Sequence, residues 1–267
     1  MLKEVIDPRE FTASRSLDPK VRALVRRRPG AFAIAITGVL VTLVLAGRVI
    51  AAGLPSAPRL LLTAAVGTIE LVGAIAIVSA LGWWREVGFT RPAEWRRPWA
   101  AALLLLPVGI GLGDLIHAGT RAPLWIALLL AGLALGVGFT EETYFRGLVL
   151  RALVTRGSLA AVIASAALFG LAHVTNLFAP GAAPGAVAFQ VTVAGLVGVV
   201  LASVRLLMNA IWPVILAHAL IDFAGFLILY PRITLIEPPI QAVVLAVVVY
   251  GGLGLGGLVL VRRLPPS

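Results

Sequence analysis

Eight apolar runs, each near the length a helix needs to cross a bilayer, decide what this chain can become. They fall at residues 31–52, 60–82, 99–117, 124–150, 159–175, 186–208, 210–230 and 239–261. At about 1.5 Å per residue, about 20 helical residues span the hydrocarbon core. The expected fold is all-α, a polytopic membrane protein with about eight transmembrane helices. Composition agrees: 60% of the 267 residues are hydrophobic and 13% charged, with a mean hydropathy of +1.02. Soluble domains are about 45–50% apolar and about 25% charged, so an ordinary cytosolic enzyme, a disordered chain and a fibrous repeat are excluded. Pro107 and Pro213 are expected to kink or start their helices.

Charge gives the orientation. The chain carries 22 Lys+Arg against 12 Asp+Glu. In a membrane protein this excess reads as the bias of basic residues toward cytoplasmic segments, not as a nucleic-acid surface. With the N-terminus inside and eight crossings, 18 basic residues fall on inside segments and 4 outside. Both termini are therefore expected in the cytoplasm of a multi-pass cell-membrane protein. The basic tail reads as cytoplasmic, with a short interfacial helix at Lys20–Arg28, and not as a signal peptide. Trp83, Trp84, Trp95 and Trp99 read as interfacial belt residues. There is no cysteine, which excludes disulfides, thiolate nucleophiles and Cys-based metal sites. The glycines Gly251, Gly252, Gly254, Gly256 and Gly257 follow no strand, so they read as helix-packing positions and not as a nucleotide loop. Neither a P-loop nor a HExxH pair occurs.

Against so apolar a background the few polar residues inside the runs stand out, because ionisable groups in a bilayer are costly and mark function. They are Glu70, Glu141, Glu142, Arg146, His173, His218 and Asp222. Most fall into three patterns. Glu142 and Arg146 are four apart on one helical face and can pair. Glu141 is rotated about 100° from Glu142 and can face a cavity, where a poorly solvated carboxylate suits acid–base work. Phe169 and His173 share a face of the fifth helix, and His218 and Asp222 share a face of the seventh. By helical rise, Glu141, His218 and Asp222 lie about 15, 12 and 18 Å from the cytoplasmic helix ends, and His173 about 20 Å along its helix. The four are expected to meet near mid-bilayer, in a cavity within reach of the cytoplasm. Asp114 and His117 read as interfacial.

The triple pattern EExxxR, FxxxH, HxxxD resembles the CPBP family of CAAX proteases and bacteriocin-processing enzymes, also called Abi, which includes the type II CAAX prenyl proteases. The resemblance covers roughly residues 121–229, and Gly82-Trp83-Trp84-Arg85-Glu86-Val87-Gly88-Phe89 is similar to a segment of bacterial members. It divides the chain into a basic tail (1–29), three N-terminal helices (30–120), a catalytic core (121–230), and a last helix with a short tail (231–267). It implies an intramembrane endopeptidase, usually classed as a metalloendopeptidase, acting on a membrane-associated peptide or protein. Carried over, Glu141 and His173 activate a water, His218 and Asp222 stabilise the oxyanion, and Glu142, Arg146 and Phe169 support them.

The prenyl proteases typically carry Asn where this chain has Asp222. An amide donates to an oxyanion, whereas an ionised Asp repels it, so Asp222 is protonated or plays another role. The pattern names no cofactor with certainty. Zinc is the ion that Glu141, His173, His218 and Asp222 would suit, and it would account for an anionic Asp222. A metal-free mechanism with Glu141 as base and His218 as donor is the slightly preferred reading. Two other readings compete: a non-enzymatic immunity or scaffold protein of the same family, and a proton-coupled transporter using Glu70, Glu141 and His173. The transporter finds no support in an inverted repeat.

Overall fold

In hydrocarbon, backbone N–H and C=O groups must be satisfied inside the protein, so apolar runs of this length have the helix as their solution. The structure, a computed structural model, describes residues 23, 25, 27–54, 59–92, 98–179, 181–231 and 237–264. Among them are eight helices long and apolar enough to cross a membrane, and no strand. They are α1 (Pro29–Ala52), α2 (Arg59–Leu81), α3 (Pro98–Ala118), α4 (Leu124–Arg156), α5 (Ser158–Phe178), α6 (Pro184–Met208), α7 (Trp212–Leu229) and α8 (Ile240–Arg262). Pro29, Pro184 and Pro213 sit in the first turns of α1, α6 and α7, where the missing N–H costs nothing. Pro107 lies inside α3.

Two helices change their winding at the positions the sequence singled out. α4 is α-helical over Leu124–Glu142, π-helical over Thr143–Val149, α-helical again over Leu150–Leu153 and 3-10 over Val154–Arg156. α5 is α-helical over Ser158–Ala172 and tightens into a 3-10 segment at His173–Phe178. The Phe145 carbonyl oxygen in the π turn accepts the Leu150 N–H and also the buried Ser165 hydroxyl of α5, at 2.8 Å. Single π turns of this kind gather at functional sites.

The helices are apolar on all sides. Residues such as Leu105, Leu128 and Leu245 stay exposed on the outer surface, as a lipid-facing surface requires. Close approach comes from small residues. A Cβ on Gly138 of α4 would stand 2.9 Å from the Ile215 carbonyl oxygen and 3.1 Å from the Ala219 amide nitrogen of α7. A Cβ on Gly170 of α5 would stand 2.8 Å from the Val191 carbonyl oxygen of α6. These contacts draw α4 onto α7 and α5 onto α6, which puts the motif-bearing helices side by side.

The segment after α2 differs from its expected role. Trp83 is 0% exposed and packs against Phe32 of α1, with ring centroids 5.7 Å apart. It is a core residue and not an interfacial anchor. The loop turns back into the bundle, where Gly88 C=O accepts the Ile211 N–H at 2.8 Å and Arg205 donates to the Val87 and Glu86 carbonyls. Gly88 has φ +103, and a Cβ there would meet the Arg205 guanidinium, so the fold-back requires glycine. Trp99 is exposed as a belt residue would be, and Trp95 lies outside the described residues. Of the interfacial helix expected at Lys20–Arg28, Ala23, Val25 and Arg27 are helical and the rest lies outside the described residues, except Arg28, which caps α1.

Candidate functional site

Glu142 is the hinge of the polar centre. It occupies the last α-helical position of α4, one turn after Gly138, where α7 comes closest. Its Oε1 lies 2.9 Å from Arg146 Nη1 and 2.7 Å from His218 Nδ1. Glu142 and Arg146 are both 0% exposed. A carboxylate only accepts, so His218 donates from Nδ1 and its ring plane is held by α4. The i,i+4 spacing points to Arg146 as the partner of Glu142. The bond to His218, 76 residues away, leaves no spacing signature.

The other ring nitrogen of His218 points at two carboxylates. Nε2 is 3.5 Å from Asp222 Oδ2 and 3.7 Å from Glu141 Oε2. Unlike Glu142, Glu141 and Asp222 each keep 25% of their side chains exposed. Glu141 Oε2 has no hydrogen bond and remains an acceptor. Adjacent residues on α4 thus divide the work: one carboxylate is spent inside the bundle and one faces the space beside it.

Phe169 joins the third motif to the other two. Its ring lies under the Arg146 guanidinium, 4.1 Å from centroid to Cζ, a desolvated cation–π contact worth about 2 kcal/mol. The same ring stands edge-on to His218 at 5.7 Å and to His173 at 4.9 Å. His173 Nδ1 lies 2.9 Å from the Phe169 carbonyl oxygen. A carbonyl only accepts, so Nδ1 donates, and in the neutral ring Nε2 carries the lone pair. His173 is within electrostatic reach of Asp222. All seven residues singled out by the three patterns therefore converge, and Glu70 of α2 lies within electrostatic reach of Glu141.

Whether this set fits a metal can be tested on its geometry. Both histidines engage Nδ1 on an acceptor and leave Nε2 forward, as metal-bound histidines do. The two carboxylate distances at His218 Nε2 also resemble edges of a zinc tetrahedron built on bonds of about 2.1 Å. Yet among the described residues no group of three His, Asp or Glu side chains is placed to hold an ion. As arranged, the donors do not close round a metal.

The arrangement offers two proton acceptors, Glu141 and His173 Nε2, opposite a histidine that donates. That is the equipment for activating a water and stabilising an anion formed by its attack. A family model described as Type II CAAX prenyl endopeptidase Rce1-like matches residues 123–224, a span that holds all three motifs. No curated protein and no solved structure matches the chain.

Proposed function

From a segment, residues 123–224, that belongs to the type II CAAX prenyl endopeptidase family, we propose that this multi-pass membrane protein hydrolyses a peptide bond of a membrane-associated peptide or protein through a water activated by Glu141 and His173. Glu141 takes one proton of the water as its oxygen attacks the scissile carbonyl carbon, while His173 Nε2 accepts a hydrogen bond from the other. The negative charge that develops on the carbonyl oxygen is met by the Nε2–H of His218, in the orientation that Glu142 gives the ring. Collapse of the tetrahedral intermediate breaks the C–N bond, and Glu141 returns its proton to the departing amine.

Glu142 is a positioning residue: it fixes the His218 ring and is itself held by Arg146. Asp222 lies beside the donor nitrogen, where in its protonated form it adds a second donor to the oxyanion. The observation that carries this reading is the 2.7 Å bond between Glu142 and His218, which presets a donor opposite the free acceptor of Glu141.

The test is cleavage of a peptide library by purified protein in lipid nanodiscs. Glu141→Gln, His173→Ala and His218→Ala are each expected to lower the rate by about 10²–10⁴-fold, with unchanged helicity. Full activity in the Glu141→Gln protein would overturn the assignment. A phenotype that survives all three substitutions together would favour the immunity or scaffold reading.

A further inference from the structure

The bond between Glu142 and His218 joins two helices, so it survives only while α4 and α7 keep their spacing. Interaxial distance and crossing angle follow from the side chains at the contact. One of those side chains comes from neither helix. Phe89, in the loop after α2, stands with its ring 5.3 Å from the Phe139 ring of α4 and, edge-on, 5.0 Å from the Trp212 ring of α7. The Phe139 and Trp212 rings are themselves 6.4 Å apart, so the three rings form one aromatic cluster across the two helices. Phe139 precedes Glu142 by three residues, and Trp212 opens the helix that carries His218. Trp84 covers Phe89 from within its own loop, at 5.0 Å.

The residues on either side of Phe89 are pinned. Gly88 C=O accepts the Ile211 N–H at 2.8 Å, and the Thr90 hydroxyl donates to Asn209 C=O at 2.9 Å. Asn209 closes α6 in the left-handed conformation, with φ +49. Both bonds therefore go to the short turn that leads into α7. The buried Arg205 holds the loop one step earlier, through the Val87 and Glu86 carbonyls. The loop also reaches α4 beyond Glu142: a Cβ on Gly147 would stand 3.0 Å from Val87 Cβ. It thus braces α4 before and after Glu142, and α7 at its first residue. A connection that served only to join α2 to α3 would need none of these contacts.

We propose that Phe89 is a positioning residue: its ring, pinned through Gly88 and Thr90, holds α4 and α7 at the spacing that keeps Glu142 Oε1 2.7 Å from His218 Nδ1. Without the ring, Phe139 and Trp212 close on the gap, the two helices shift, and the bond is lost. A misplacement of about 1 Å costs about a hundredfold in rate. The role in turnover rests on the endopeptidase reading; the role in holding the bond does not.

The chain has three histidines, which makes the bond directly observable. Protein labelled with 15N-histidine and held in nanodiscs is expected to show one carboxylate-bonded Nδ1–H resonance, absent from His218→Gln and moved in Glu142→Gln. Phe89→Ala, or Phe89→Leu if the first does not accumulate, is expected to move that resonance in the same direction as Glu142→Gln, with unchanged helicity. Phe89→Tyr, which keeps the ring, and Trp99→Ala, which removes an exposed aromatic outside the cluster, are expected to leave it in place. In peptide cleavage, Phe89→Ala is expected to lower kcat at least tenfold with KM within twofold, and to cost less than twofold more in a Glu142→Gln background, where the bond is already gone. A resonance unmoved in Phe89→Ala, or moved equally in Trp99→Ala, overturns the proposal, as does an undiminished loss of kcat in the Glu142→Gln background. If the parent chain cleaves nothing, the endopeptidase reading fails while the resonance still decides what Phe89 holds.

Discussion

Replacing Glu142 by Gln keeps the side-chain volume and removes one negative charge from a place with no solvent. Its partner Arg146 is 0% exposed and loses the carboxylate at 2.9 Å. What remains is the Phe169 ring at 4.1 Å, worth about 2 kcal/mol, and the more distant Glu141 carboxylate. At an effective dielectric of about 20, unit charges about 4 Å apart attract by about 4 kcal/mol. Removal of one partner from a buried pair costs about 3–5 kcal/mol. For a chain of this size that is a fall in the unfolding midpoint of about 6–20 °C, read by thermal denaturation in nanodiscs. Pairing Glu142→Gln with Arg146→Met removes the stranded charge and puts a polarisable thioether over the Phe169 ring. Most of the lost stability should return, because apolar replacement of a buried pair is often neutral. Activity should not return, because His218 still lacks the carboxylate that holds its Nδ1. A Glu142→Gln midpoint equal to that of the parent, or full activity in the double variant, would refute the assignment of Glu142 as both charge partner and orienting group.

Asp222→Asn should keep activity within about tenfold, since the amide donates where a protonated acid would, while Asp222→Ala should lose about 10²–10³-fold; equal losses in a peptide-cleavage assay would remove Asp222 from the oxyanion role. Gly138→Leu should separate α4 from α7 at the Ile215 carbonyl and lower kcat by about a hundredfold through misplacement of His218, with helicity by circular dichroism unchanged; a rate within twofold of the parent would show that the close approach does not set the site. Cleavage should survive exhaustive chelation, and loss restored by a single added metal would show that the donors around His218 Nε2 close on an ion during turnover.

The spans were readable because a bilayer imposes both length and apolarity. The run expected at 186–208, for example, differs from α6 by two residues at its start. Pattern spacing was equally informative for Glu142–Arg146 and Phe169–His173, which lie within one helix. What the sequence could not show were relations across helices and against local habit. Glu142 reaches His218 through a helix contact set by Gly138, and one glycine among 28 carries no mark of that role. Trp83 has the flanking position of a belt residue, but the loop folds inward and buries it.

The π turn of α4 acts as a phase shift. Seven residues wound with more residues per turn, Thr143–Val149, let the first part of the helix present Gly138 and Glu142 to α7 while the part beyond faces α1 and α5. An uninterrupted α-helix would have to give up one of these alignments by about 100° per residue. Such a turn has the length of an α-helix with one residue inserted. Deleting a single residue within it should therefore straighten α4 and still span the membrane, but turn the carboxylate pair relative to the part of α4 that follows the turn. Helix register, and not only the identity of the side chains, is thus a heritable determinant of this site, and chains with all three motifs but one residue fewer here are expected to be inserted and inert.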